Sequence, residues 1–182
     1  MIEKPIAIQV KEELRWLMDY VKNKKLFLEI GTARGGTLYS MMRTAHSRAE
    51  FVSVDLPTEE YVGSLGQPSE EVMQTWKKPN QTLHIIRLNS QWQLTIDKVK
   101  EILNGRKFDF IFIDGDHTYE GVKKDFENYK QFGDTVGFHD IVEHKRKDIE
   151  VKKLWDELEC EKIEFVHDRK QGWGGIGVIH IN

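Results

Sequence analysis

Five apolar runs in this chain end at an acid or another polar residue, with helix-like segments between them. The runs are continuous rather than alternating, which marks strands buried on both faces, as in a parallel sheet. Strands alternating with helices at this spacing predict a Rossmann-like, doubly wound α/β fold with a mainly parallel sheet and helices on both faces. Ligands of such sheets bind outside the carboxyl ends of the strands. The residues there are Glu29-Ile-Gly31, Asp55, Asn89-Ser90, Asp114-Gly-Asp116-His117 and His139-Asp140. Any one of them can be a strand terminator, but five in succession form a pattern.

The first of these ends opens a turn, Glu29-Ile-Gly-Thr-Ala-Arg-Gly-Gly36. Its glycines are spaced G-x-x-x-G-G, not G-x-G-x-x-G. In the dinucleotide fingerprint the second glycine lets a pyrophosphate approach the backbone, and Ala33 stands there instead. A phosphate-free cofactor fits this turn better, S-adenosylmethionine first among them, with Glu29, Gly31, Thr32 and Gly35 as the contacts expected from the turn. The bland alternative is a tight turn whose glycines serve chain geometry alone. Asp55 follows Gly31 by 24 positions, near where an acid reaches a ribose in these folds. Its plain alternative is a cap for the loop before Pro57. Asn89 and Ser90 are candidates for the adenine edge.

The periodicity predicts helices over 9–23, 36–47 and 69–77, from Trp92 to Asn104-Gly105, through Val122, Phe126 and Tyr129 to Gly133, and over Val151–Leu158. Strands are expected at 25–30, 50–55, 81–88, 107–114 and 134–139, then near 161–167 and 174–181. The span from Leu56 to Asn80 has a weak pattern, and a segment that long is more often a functional loop than filler. Tyr61 and Trp76 are its candidate lid residues. Trp16, off the apolar stripe of the first helix, marks a lid or an interface. Trp173, in the glycine-rich Gly172–Gly177 stretch, is a candidate cover for a pocket.

At 182 residues, one domain spanning 1–182 is expected. A net charge of −3 gives no reason to expect nucleic acid or a membrane surface as partner. No apolar run approaches the ~20 residues of a membrane helix, and no signal-peptide pattern opens the chain, so the expected compartment is cytoplasmic. The single cysteine, Cys160, excludes an internal disulfide and a cysteine-based zinc cluster, and is expected to be packed in a helix.

Asp114 and Asp140, with His139 beside the latter, are oxygen and imidazole donors on neighbouring strand ends. Two carboxylates suit Mg²⁺, and a histidine in the set favours Mn²⁺ or another transition metal. Such an ion acidifies a bound hydroxyl. His117, three residues past Asp114, is the candidate general base. The alternative has Asp116 or Thr118 capping the next helix, with Asp140 an ordinary turn residue.

With Leu28-Glu-Ile-Gly-Thr-Ala-Arg-Gly-Gly36, Val54-Asp55, Phe112-Ile-Asp-Gly-Asp-His-Thr-Tyr-Glu-Gly-Val122 and Gly137-Phe-His-Asp140 in view, the chain resembles the class I S-adenosylmethionine-dependent methyltransferases. Within them it looks like the small-molecule O-methyltransferase branch of catechol and macrolide-sugar O-methyltransferases and cephalosporin-hydroxylase-like proteins. The resemblance implies a seven-stranded sheet of order 3-2-1-4-5-7-6 with the last strand antiparallel. It implies Glu29 and Gly31 at the methionine end of the cofactor, Asp55 on its ribose, Asn89 and Ser90 near adenine, and Mg²⁺ on Asp114 and the His139-Asp140 pair. His117 falls where the catechol enzymes place a catalytic lysine. Asn89 and His139 stand where acids are usual, and a large N-terminal substrate module is missing. Acceptor specificity is then left to the 9–23 helix, the 56–80 loop, the 140–150 segment or the second subunit of a homodimer.

The expected activity is S-adenosylmethionine-dependent O-methylation of a small hydroxylated acceptor, a sugar or natural product, with a divalent metal assisting. A nicotinamide-dependent oxidoreductase and a non-catalytic cofactor-binding protein of the same fold are the alternatives.

Overall fold

The computed structural model describes residues 5–57, 60 and 66–181, so Tyr61 lies outside the described residues. The elements run α1 (Lys11–Val21), β1 (Leu26–Ile30), α2 (Gly36–Thr44), β2 (Glu50–Asp55), α3 (Glu70–Gln74), β3 (Thr82–Arg87), α4 (Gln93–Leu103), β4 (Phe110–Ile113), α5 (Tyr119–Tyr129), β5 (Thr135–His139), α6 (Val151–Glu157), β6 (Lys162–Phe165) and β7 (Ile176–His180). The strands form one sheet in the order β3-β2-β1-β4-β5-β7-β6. The first five are mutually parallel, and β7 runs antiparallel to both β5 and β6. This is the order the resemblance implied.

The two-residue period of a strand sorts the side chains onto the two faces of the sheet. Leu26, Leu28, Ile30, Val52, Val54, Ile111 and Ile113 pack with the buried sides of α4, α5 and α6. On the other face Phe27, Phe51, Phe110 and Phe112 pack with α1, α2 and α3. On β1, β2 and β4, aliphatic residues thus face one layer and phenylalanines the other. Phe27 stacks on Phe51 at 4.6 Å between centroids and 9° between planes. Full burial of each such side chain contributes about 1.5–3 kcal/mol, which anchors β1 at the middle of the sheet and fixes where its carboxyl end emerges.

Four sequence expectations are corrected here. Trp16 is no lid: partly buried, it stacks between Tyr20 and Phe165 against the phenylalanine layer. Trp76 is no lid either. It is 2 % exposed and meets Tyr39 edge-on beneath the glycine turn. Cys160 is exposed in the connection after α6, outside any helix. The predicted strand at 107–114 is shorter, because Asp109 turns its carboxylate to the backbone N–H groups of Lys25 and Leu26.

Candidate functional site

The carboxyl ends of β1, β2, β3, β4 and β5 meet two adjoining cavities. The larger, about 620 Å³, is lined by Gly31, Asp55, Asn89, Ser90, Asp114 and His117 among others. The smaller, about 290 Å³, has Asp114, His117, His139 and Asp140 in its walls, with Ile6, Ile149 and Trp173 facing them. Ile8, Gly31, Ala33, Asp114, His117, Arg146 and Ile149 belong to both. The larger volume falls within the range of small-molecule sites. Asp114 and His117 therefore stand at the junction of a cofactor-sized cavity and a smaller one.

The glycines of the turn answer to neighbouring protein atoms. Gly31 has φ +86°, and a β-carbon there would collide with the backbone of Asp114. That close approach brings the ends of β1 and β4 together. A β-carbon on Gly35 would run into the Trp76 ring, and one on Gly36 into the backbone of Ile6 and Ala7. Gly36 is thus the place where the N-terminal segment crosses the start of α2. Ala33 sits at φ +47° and donates its N–H to Asp55 Oδ2 at 2.7 Å. The amide that a pyrophosphate would seek is already committed.

The expected cofactor residues divide into three groups. Gly31, Asp55, Asn89, Ser90 and Asp114 line the larger cavity. Thr32 lines the smaller one, its hydroxyl paired with that of Ser53 at 2.7 Å. Gly35 and Glu29 line neither cavity. Glu29 is 1 % exposed, its Oε2 has no hydrogen-bond partner among the described residues, and burial raises its pKa well above the usual carboxylate value.

Asp55 accepts from Ala33 N–H at 2.7 Å and from Leu56 N–H at 2.9 Å, and Arg87 Nη1 stands 3.5 Å away. Burial raises its pKa against these contacts. Asn89 turns its Oδ1 to the Gln91 N–H. Ser90 donates to Asp125 Oδ1 at 2.6 Å while its carbonyl accepts from Tyr129 Oη at 2.6 Å. Asp125 and Tyr129, one turn apart on α5, thereby hold the Asn89-Ser90 loop.

Around Asp114 the charges alternate. His117 Nε2 and His139 Nδ1 lie 3.2 and 3.1 Å from Asp114 Oδ1. Asp140 Oδ2 is 3.4 Å from His117 Nδ1 and 3.5 Å from His139 Nδ1. Burial alone would raise Asp114, yet the two imidazoles hold its carboxyl far below the usual range. Asp140 is lowered in the same way, burial being outweighed by His139 first. Burial works against charge on both histidines, but Asp114 and then Asp140 raise their pKa values, His139 most strongly. The two carboxylates thus favour the protonated form of both imidazoles. Asp140 has φ +60°, a conformation short acids tolerate, and accepts from Gly174 N–H at 2.7 Å. Through this contact the glycine-rich loop carrying Trp173 reaches the smaller cavity.

Asp114, His117 and Asp140 can each offer one ligand atom with all three atoms within 4.8 Å. His139, expected from the sequence as a ligand, lies outside that trio and faces both carboxylates with Nδ1. Of the two capping candidates, Thr118 caps α5 by accepting from Gly121 N–H, while Asp116 braces the Thr118 hydroxyl and N–H.

Sequence reasoning missed three polar residues. Gln9 donates to Asp114 Oδ2 at 2.8 Å and accepts from Thr37 Oγ1, with nothing in the sequence to flag it. Glu13, fully buried, accepts from His167 and Gly175 N–H groups. Asp125 is equally buried. These two did leave a signal: Glu13 precedes Leu17 by four residues and Asp125 precedes Tyr129 by four, so each is an acid on an apolar helical stripe.

Residues 28–141 match the model of a family described as a methyltransferase domain. No curated protein matches the sequence. Among solved structures, the chain is similar to an O-methyltransferase from Bacillus cereus in complex with SAH, at 17% identity and a TM-score of 0.63, covering 99% of this chain and 84% of that one. It is also similar to the O-methyltransferase TomG from Streptomyces achromogenes, involved in tomaymycin synthesis and in complex with SAM. There the identity is 14% and the TM-score 0.62, with 94% of this chain and 80% of that one covered. At such identities the likeness is one of fold.

Proposed function

Because the chain belongs to the methyltransferase-domain family whose model its residues 28–141 match, we propose that it is an S-adenosylmethionine-dependent O-methyltransferase acting on a small hydroxylated acceptor. The observation that carries this reading is the meeting of the two cavities at Asp114 and His117. The SAM- and SAH-bound neighbours support the same cofactor.

In this reading the larger cavity holds the adenosine part of S-adenosylmethionine, with Asp55 on the ribose hydroxyls and Asn89 and Ser90 beside adenine, and the amino-acid end passes Gly31 and Asp114 into the near edge of the smaller cavity. The cofactor supplies a methyl group activated by its positive sulfur. The acceptor, a small sugar or natural product, lies in the rest of the smaller cavity, between the apolar side chains Ile6, Ile149 and Trp173 and the polar wall. In-line displacement depends on alignment, and the partly buried, hydrogen-bonded Asp114 provides a fixed edge against which an acceptor hydroxyl can be oriented. His117 takes the hydroxyl proton. Its raised pKa requires that it first lose its own, so turnover rises with pH through a value above the ordinary histidine pKa of about 6.5.

One observation favours a metal-assisted version, the trio of Asp114, His117 and Asp140. One imidazole with two carboxylates suits Mn²⁺ or a similar ion better than Mg²⁺, and His117 would then be a ligand instead of a base.

Calorimetry with S-adenosylhomocysteine and NAD⁺ separately tests the cofactor. Binding of NAD⁺ alone would overturn the reading in favour of an oxidoreductase, and cofactor binding with no methylation across a broad panel of phenols, catechols and sugars would favour a non-catalytic role. Once an acceptor is found, turnover unchanged by chelator and by added Mn²⁺ would sink the metal version alone.

A further inference from the structure

Gln9 reaches the site from the N-terminal segment, 105 positions away from Asp114 in sequence. Its carboxamide nitrogen donates to Asp114 Oδ2 at 2.8 Å, and its oxygen accepts from Thr37 Oγ1 in the first turn of α2. The two bonds also settle which way the amide faces, since Asp114 can only accept and the Thr37 hydroxyl is left to donate. A carboxylate and a hydroxyl held at this separation are the complement of an α-amino acid. The carboxylate suits an ammonium, the hydroxyl suits a carboxylate, and an amide presents its donor and acceptor about as far apart as those two groups. Gln9, Thr37 and Asp114 all line the smaller cavity, and Asp114 lines the larger as well.

We propose that the Gln9 carboxamide is an internal surrogate for the amino-acid end of the cofactor, filling its subsite between Thr37 and Asp114 and leaving it when the cofactor binds. The inference rests on the S-adenosylmethionine reading and extends it to a residue outside the matched family region. Gln9 sits just before α1 on the segment whose backbone at Ala7 crosses Gly36 without room for a β-carbon. The segment is thus pinned at Ala7 while the Gln9 side chain is the part free to exchange. Ile6 and Ile8, 63 % and 54 % exposed, border the same cavity, so the exchange takes place at its mouth.

The test compares two ligands that differ in the amino-acid end, S-adenosylhomocysteine and 5′-methylthioadenosine, on wild type, Gln9→Ala and Gln9→Glu. Removing the surrogate frees two hydrogen bonds, one of them to a charged group, so Gln9→Ala tightens S-adenosylhomocysteine by roughly tenfold. Its effect on 5′-methylthioadenosine is nil. Gln9→Glu, which places a second carboxylate against Asp114, also vacates the subsite and tightens the first ligand only. In wild type, the side-chain amide resonance of Gln9 moves toward its solvent-exposed position with S-adenosylhomocysteine and stays put with 5′-methylthioadenosine. Weaker or unchanged S-adenosylhomocysteine binding by Gln9→Ala, an equal change for both ligands, or an unmoved resonance overturns the proposal and leaves the methyltransferase reading intact. A wild type that binds neither ligand overturns both.

Discussion

Ser90 donates a 2.6 Å hydrogen bond to Asp125, an acid with no exposed surface whose second oxygen has no partner among the described residues. Burial pushes the Asp125 pKa up to about 7, with the Ser90 bond opposing and the charge of Asp116 adding to the rise. Between the unfolded value near 4 and about 7, the folded protein binds this proton and the unfolded chain does not. The group's contribution is therefore full below about pH 4, shrinks as pH rises toward about 7, and is flat beyond. Three pKa units correspond to ~4 kcal/mol as an upper figure. Asp125→Asn keeps an acceptor for Ser90 and removes the titration. Denaturant melts from about pH 4 to pH 8 should show the variant gaining on wild type by a few kcal/mol across that window. A constant difference would mean that Asp125 stays ionised in the fold.

Gly35 and Trp76 give a second prediction. Gly35 has φ +78° and no space for a β-carbon beside the buried indole. Gly35→Ala should cost about 2–4 kcal/mol, part from the left-handed backbone and part from the clash. In a Trp76→Leu background only the backbone part, about 1–2 kcal/mol, should remain. Additive losses would show that the indole is not what excludes the methyl group. Cofactor affinity measured on the folded Trp76→Leu protein should be unchanged, whereas a lid residue would alter it.

The parts of this molecule legible in the sequence are those set by local pattern. Strand runs such as Phe110–Ile113 and helix stripes such as Val122, Phe126 and Tyr129 carry their burial in their spacing, and the polar residues ending β1 to β5 mark one edge of the sheet. Strand order needed the family resemblance, because nothing local says which strand neighbours which. Trp76 was misread because an aromatic in a Pro- and Gly-punctuated segment looks like a surface residue. Its burial depends on Tyr39 and Gly35, far off in sequence. Gln9 was invisible for the same reason, its partners being Thr37 and Asp114. His139 stood out for its place beside Asp140, and a neighbouring position in a strand says nothing about where the ring turns, which is toward both carboxylates.

Glu29 makes a third case. Its pKa lies well above the usual carboxylate value because burial dominates, with Asp114 and Asp55 adding like charge. A carboxyl whose surroundings favour its neutral form is well mimicked by its amide. Glu29→Gln should change stability near pH 7 by no more than about 1 kcal/mol and S-adenosylhomocysteine affinity by no more than about threefold. A loss of affinity near a hundredfold would instead identify an ionised Glu29 that meets the cofactor's positive charge directly.

Asp55 should behave in the opposite way. Its two oxygens each accept one backbone N–H, and the residue lines the larger cavity, where the ribose of the proposed cofactor would lie. Removing the carboxylate deletes those acceptors, frees Ala33 from its left-handed turn and leaves buried Arg87 Nη1 without its counter-charge. Asp55→Ala should weaken S-adenosylhomocysteine and 5′-methylthioadenosine alike, by about a hundredfold or more, since both carry the ribose and charge-assisted bonds contribute about 1.5–3 kcal/mol each. The common loss separates this residue from Gln9, whose replacement distinguishes the two ligands. Asp55→Asn keeps one acceptor oxygen but faces a backbone N–H with its own amide, so it should recover little. Calorimetry on both variants, after a cooperative melt confirms folding, checks the outcome; affinity undiminished in Asp55→Ala would remove Asp55 from the ribose and leave it as a brace for the turn.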